Sequence, residues 1–215
     1  MKARPAQRAA HFLCLLALFC LIIPQDAWPE TRVRHVIDGD TVVLENGTKV
    51  RYPEINAPEV THEDRLGEPF GDEARLRNRQ LVEGKMVTVR TVNGARQDQY
   101  GRLLADLVLG DGSSVSEILV QEGLAFVCIY DNKGEKTENR RLLELQRKAI
   151  EAKRGIWSAP AAHPEPFYIG NAKSMRFHRP SCPFGKKTSK RHRILFKDRE
   201  DAFREGFCPC KKCLP

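Results

Sequence analysis

Between Thr31 and Ile55 the chain alternates short β segments with two turn dipeptides, Asp38-Gly39 and Asn46-Gly47. This rhythm constrains the fold more than any other feature. Asn-Gly between β-branched and apolar runs signals a hairpin, because both residues accept the positive φ of a tight turn. Val33, His35 and Ile37 are expected on one face, since alternate residues of a strand point the same way. Thr41 to Leu44 is β-branched and apolar, and Lys49 to Tyr52 continues the sheet. Pro53 and Pro58 bracket an irregular connection.

Downstream, Asp72 to Glu83 reads as a helix closed by Gly84, and Lys85 to Val92 alternates as a strand. Arg102 to Leu109 is another strand, Val115 to Glu122 a short helix, and Leu124 to Ile129 a short apolar run. Glu138 to Arg154 is a long helix with Leu142, Leu145 and Ala149 on its apolar face, and Trp157 is expected to pack back on the core. Five strands with interleaved helices predict an α+β fold: a five-stranded barrel of the oligonucleotide-binding type with about three helices.

The chain of 215 residues has room for one medium domain and something small. A hydrophobic content of 41% with 30% charged residues suits a soluble globular protein. The start is different: Lys2, Arg4 and Arg8 precede an apolar run from Phe12 to Ile23 that Pro24 ends. That run is shorter than the roughly 20 residues of a membrane span and reads as a signal peptide over residues 1–27, cleaved near Ala27. An uncleaved anchor is the alternative. Either way the working part is expected in the periplasm or outside the cell, with no stable membrane insertion after cleavage.

The acidic turn, the arginines and the carboxylates define a chemistry. Asp38-Gly39-Asp40-Thr41 is followed by Arg51, then Asn56-Ala57-Pro58-Glu59, then Asp98-Gln99-Tyr100-Gly101-Arg102. Phosphodiester cleavage with a hard metal ion needs oxygen ligands, a carboxylate for the attacking water and guanidinium forks for the transition-state charge. Asp38 is read as holding the turn through backbone amides.

These motifs, in this order, resemble the staphylococcal (thermo)nuclease family from Thr31 to Ser158, ending in Gly155-Ile156-Trp157. The resemblance implies a calcium-assisted endonuclease acting on DNA and RNA, with single strands preferred. It makes Asp40, Asn56 and the Ala57 carbonyl calcium ligands, Glu59 the group that orients or deprotonates water, and Arg51 and Arg102 the phosphate clamps. Gln99 and Tyr100 contact the nucleotide. Asn56 departs from the carboxylate usual there, which removes one charge from the site and raises the calcium requirement. Glu54 is a candidate to compensate if the segment is a strand.

Ala159 to Pro166 is a Pro/Ala linker, and residues 167–215 form a second unit too small to hold together on an apolar core alone. From Glu165 to Pro215 there are 13 Lys and Arg against 5 Asp and Glu, an excess equal to the whole net charge of +8. Such a tail favours polyanions. Of seven cysteines, Cys14 and Cys20 belong to the leader, leaving Cys128, Cys182, Cys208, Cys210 and Cys213. His178 with Cys182, and Cys210 with Cys213, are two close pairs of the kind a tetrahedral zinc site uses.

The segment Tyr168 to Cys213 resembles the zinc-binding domain of the Ada DNA-repair family, through Gly170-Asn171, Arg179-Pro180-Ser181-Cys182, Arg193-Ile194-Leu195-Phe196 and the final Pro-Cys-x-x-Cys. That family's first ligand is a methyl-accepting cysteine; His178 stands there, so a structural zinc is implied and methyl transfer is not. Cys208 is left over. It is an alternative ligand in place of Cys210, or a disulfide partner such as for Cys182. The leading expectation is a monomeric nuclease (residues 28–158) with a separable, zinc-bound, nucleic-acid-binding tail, so that the barrel alone serves short substrates. The rival is a weakly active or inactive protein that binds nucleic acid or a partner on the same fold.

Overall fold

The computed structural model describes residues 29–61, 63, 66–129, 137–160 and 163–214. The signal peptide expected over 1–27 and part of the linker lie outside the described residues. No helix among them is long and apolar enough to cross a membrane.

The nuclease-like part is a closed barrel. Strands β1 (Glu30–Val36), β2 (Thr41–Leu44), β3 (Lys49–Arg51), β5 (Met86–Gln97) and β6 (Leu103–Val108) close in the order β1-β2-β3-β6-β5. The two expected turns make β1-β2 and β2-β3 antiparallel, whereas β3 and β6 pair in parallel. Val87 and Val89 point inward and Met86 outward, as their alternation requires. The shared face expected for Val33, His35 and Ile37 is corrected: Val33 and Val36 are buried but His35 is exposed. An irregularity in the β1-β2 register between Val33 and His35 shifts the alternation by one residue.

Three helices pack on the barrel: α1 (Gly71–Val82), α2 (Val115–Gln121) and α3 (Thr137–Glu151). The Ser114 side chain caps α2 by accepting from the Glu117 N–H at 3.1 Å. Arg77 and Glu122 form a two-bond fork, 2.8 and 2.7 Å, that ties α1 to the end of α2. Leu142, Leu145 and Ala149 of α3 are buried, as the helical spacing predicts. Away from the barrel, β4 (Ile55–Asn56) pairs antiparallel with β7 (Phe126–Val127), and this two-stranded ribbon carries Asn56.

The C-terminal unit is a four-stranded sheet of β8 (Tyr168–Asn171), β9 (Arg176–His178), β10 (Arg193–Phe196) and β11 (Cys208–Pro209), in the order β10-β8-β9-β11, with short helices α4 (Pro183–Lys186) and α5 (Arg199–Arg204). It does not stand apart from the barrel. Phe203 of α5 packs edge-to-face on Phe126 and Trp157 of the first unit and on Phe177 of its own, with ring centroids 5.0–5.1 Å apart. The fully buried Gln146 of α3 accepts from the Val127 N–H at 2.6 Å and donates to the Phe203 carbonyl at 2.5 Å. A Cys128–Cys208 disulfide spans the same seam, with Cα atoms 5.0 Å apart. The two units share one core.

Gln146→Ala strands a buried amide on one side of the seam and a buried carbonyl on the other. At about 1–3 kcal/mol for each unsatisfied group, it is expected to cost roughly 2 kcal/mol or more. Denaturant unfolding followed by circular dichroism checks this, and the transition should stay single because both units lose the contact together.

Candidate active site and metal centre

The Asp40 carboxylate organises the first site. One oxygen takes the Arg51 Nε at 2.9 Å and the Thr41 hydroxyl at 3.0 Å, and the other accepts the Ala57 N–H at 2.8 Å. Asp40 and Arg51 are both buried. Gly39 makes the geometry possible: any Cβ there would overlap the side chains of Ala57 and Ala74, so only glycine lets the acidic turn lie against the loop after β4. Behind the turn, buried Asn78 of α1 donates to the Asp38 carbonyl at 3.1 Å and accepts the Tyr52 hydroxyl at 2.9 Å.

Asp38 accepts the Asp40 N–H at 2.9 Å, the turn-holding bond expected of it. Burial, and then the charge of Asp40, push its carboxyl up to about 7. Two carboxylates therefore crowd a partly dry turn, an arrangement a cation would relieve. The nearby donors are hard oxygens (Asp38, Asp40, the Ala57 carbonyl and the Asn56 amide), which suits calcium.

Asn56 spends its amide on its neighbours. Its Oδ1 accepts from Arg51 Nη2 at 3.0 Å, and its Nδ2 donates to the Ala57 carbonyl at 3.1 Å. Arg51 also donates from Nη1 to the Tyr52 carbonyl. Three of its five N–H groups are thus engaged in these bonds, leaving one on each terminal nitrogen for a phosphate. Glu54 does not reach Asn56 along a strand face: it sits in a turn with φ 59°, and its carbonyl accepts the Cys128 N–H at 2.7 Å.

Arg102 approaches the same turn from the start of β6. Its Nη1 lies 3.4 Å from the Thr41 hydroxyl, and Nε and Nη2 each reach Asp98 at 2.8 Å. Burial pushes the Asp98 carboxyl up, but the Arg102 amide and guanidinium and the Tyr100 amide outweigh it and hold the acid below its ordinary range. Tyr100 is exposed beneath the Arg102 guanidinium, 5.4 Å from ring centroid to carbon, and Gln99 is exposed beside it.

Glu59 is exposed, two residues beyond Ala57. Its main chain is clamped by Glu68, which takes the Glu59 N–H on its carboxylate at 3.0 Å and donates its own N–H to the Glu59 carbonyl at 2.8 Å. Gly71 lies so close to that carbonyl that a side chain there would collide with it. Sequence reasoning missed Glu68; no local pattern marks a residue that bonds nine positions back.

In the C-terminal unit, the ligand atoms of His178, Cys182, Cys210 and Cys213 all lie within 4.8 Å of one another. Zinc bonds of about 2.3 Å to sulfur and 2.0–2.1 Å to nitrogen place such atoms roughly 3.5–4 Å apart in a tetrahedron. Burial, with Arg176 nearby, lowers the His178 pKa, which favours the neutral imidazole a metal needs. Burial drives the Cys213 thiol up to about 12, a cost that a bound dication removes. Arg179 donates its N–H to the Cys213 sulfur at 3.4 Å and supports that ligand from behind. The residues fit zinc.

Cys208 is neither a ligand in place of Cys210 nor a partner of Cys182, because it is bonded to Cys128. The count carried this signal: five cysteines less three ligands leaves two.

Two known families match the chain, one over each unit. The staphylococcal nuclease homologue family matches residues 49–159, which include Arg51, Asn56 to Glu59 and Arg102. The chain belongs to this family. The metal binding domain of Ada matches residues 156–215. Endonuclease YncB of Bacillus subtilis is 40% identical over 126 residues, covering 57% of this chain and 58% of that protein. The SPbeta prophage-derived endonuclease YokF of the same organism is 38% identical over 126 residues, 57% of this chain and 42% of the relative. An uncharacterized endonuclease of Escherichia coli O157:H7 is 33% identical over 141 residues, 64% of this chain and 82% of the relative. The chain spans about half the length of the two Bacillus relatives.

The cluster is expected to bind one zinc per chain, measurable by elemental analysis of protein purified without added metal. His178→Ala should lower the stoichiometry well below one; full zinc content in that variant would remove His178 from the site.

Proposed function

We propose that the protein is a calcium-dependent endonuclease that hydrolyses phosphodiester bonds in DNA and RNA and prefers single strands. The observation that carries this reading is the convergence of two guanidinium groups on one acidic turn: Arg51 on Asp40 at 2.9 Å and Arg102 on Thr41 at 3.4 Å. Asp40, the Ala57 carbonyl and the Asn56 amide oxygen would hold calcium, which would supply positive charge at the scissile phosphate. Arg51 offers its two remaining N–H groups to the phosphate oxygens. Arg102, parked on Asp98, shares its fork with the opposite side of the same group, so the two arginines meet charge as it grows in the transition state. Glu59, exposed but fixed at its main chain, accepts the proton of the attacking water. Tyr100 and Gln99 present an aromatic face and an amide to a base, which suits unstacked single strands.

The second unit acts as a zinc-held nucleic-acid contact. Between Arg176 and Lys197 there are eight Lys and Arg and no Asp or Glu, which supports contact with a polyanion at long substrates. We take residues 1–27 as a signal peptide, 28–158 as the nuclease unit, 159–166 as the connection and 167–215 as the zinc unit, in a monomer. The N-terminal pattern supports a periplasmic or secreted location, and so does the Cys128–Cys208 bond, since disulfides persist in oxidising compartments.

Hydrolysis of single-stranded DNA should follow added calcium and stop with a chelator; binding without turnover would select a nucleic-acid-binding protein instead. Arg51→Ala and Arg102→Lys are each expected to lower kcat about 100-fold or more, by the scale of removing one transition-state donor. Near-normal turnover in either variant takes that residue out of the site.

Asn56→Asp adds a charge and cannot donate to the Ala57 carbonyl, so it frees that oxygen. It is expected to tighten calcium several-fold, read by calorimetric titration of the ion and by half-activation of cleavage. Unchanged or weaker binding would show that position 56 does not face the metal.

A further inference from the structure

The zinc unit stands behind the strand that carries the site. Asn56 on β4 pairs with Phe126 on β7, and the Glu54 carbonyl accepts the Cys128 N–H at 2.7 Å. β4 and β7 form a two-stranded ribbon outside the barrel; among the described residues no barrel strand pairs with β4 along the backbone, and Arg51 of β3 reaches it through the Asn56 side chain at 3.0 Å. β7 is held from two sides: Gln146 of α3 accepts its Val127 N–H at 2.6 Å, and the C-terminal unit covers the other side. Cys128 is bonded to Cys208, the Ile129 N–H reaches the Gly206 carbonyl at 3.3 Å, and Phe203 lies edge-to-face on Phe126. An isolated two-stranded ribbon is marginal in water and takes its position from what it packs on. From Asn56 the chain runs directly into Ala57, Pro58 and Glu59.

We propose that the Cys128–Cys208 bond and Phe203 are positioning elements of the nuclease site, so that the C-terminal unit sets turnover even on substrates too short to touch it. This rests on the nuclease reading above. The unit's basic surface acts on long nucleic acid; the seam acts on the reacting geometry through β7 and β4. The coupling needs only contiguous packing and one ribbon whose placement the seam decides. Displacements of the order of 1 Å in groups that position a reacting phosphate cost up to about 100-fold in rate, so a small slackening of β4 is large in kcat. The expected separability of the tail is thereby reversed: cleavage of short substrates should depend on it.

The test uses the full chain with Cys128→Ala and Cys208→Ala together, at saturating calcium and well below the variant's melting temperature. The substrate is a thymidine trinucleotide. We expect kcat to fall about tenfold or more with KM changed less than twofold, and hydrogen exchange to rise in segments 54–59 and 126–129 while β2 keeps its protection. Phe203→Leu, which leaves both cysteines and the zinc ligands in place, should move the same two readouts in the same direction and serves if the double variant does not fold. Unchanged kcat together with unchanged exchange at 54–59, in a folded variant, would overturn the proposal. So would a loss confined to KM. If the unaltered protein cleaves no trinucleotide, the nuclease reading fails. The exchange arm then decides the coupling: raised exchange at 54–59 upholds it and unchanged exchange refutes it.

Discussion

One buried carboxylate fixes the relation between three separate stretches of chain. Asp40 closes the turn before β2, holds the guanidinium that ends β3, and anchors the amide of Ala57 beyond β4. Each contact also helps compensate a charge that would otherwise be stranded out of water. Removing either partner of such a pair costs far more than the pair contributes to stability. The site is therefore not decoration on a finished barrel. The register of β2 on β3, with Thr41 opposite Arg51, and the Asp40–Arg51 pairing depend on one another.

The second organising element is the seam. A unit of about 50 residues cannot bury enough apolar surface to fold alone, and this one borrows from its neighbour: Phe203 completes an aromatic cluster with Phe126 and Trp157. The metal cluster and the disulfide do different work there. His178, Cys182, Cys210 and Cys213 draw the loops of the unit together, while Cys128–Cys208 closes a separation of 80 residues between the units. Long closures restrict the unfolded chain most in the chain-entropy account.

The barrel was readable because its signals are local. Asn46-Gly47 marks a hairpin, the alternation of Val87 and Val89 marks an inward face, and the spacing of Leu142, Leu145 and Ala149 marks a stripe. What stayed hidden is what depends on neighbours distant in sequence. The irregular register at His35 turns a residue outward with no change in composition. Asn56 was readable as a departure from a carboxylate, but not that its amide would bridge Arg51 and Ala57. Cys128 looked like an apolar residue in a buried run. Only after three thiols are assigned to a metal does its pairing with Cys208 follow.

The position of the seam in the sequence has a consequence for biosynthesis. A ribosome makes this chain from the barrel outward, and Phe203, Cys208, Cys210 and Cys213 all follow Phe126, Cys128 and Trp157 by more than forty residues. Until they emerge, Phe126 and Trp157 have no ring from the tail to pack on, and Cys128 is a lone thiol on a half-covered strand. The nascent protein thus passes through an interval in which two aromatic rings and a cysteine sulfur all lack their later partners. Folding, metallation and oxidation all wait on the same segment, and a chain cut or stalled shortly before residue 203 would keep that face open for good.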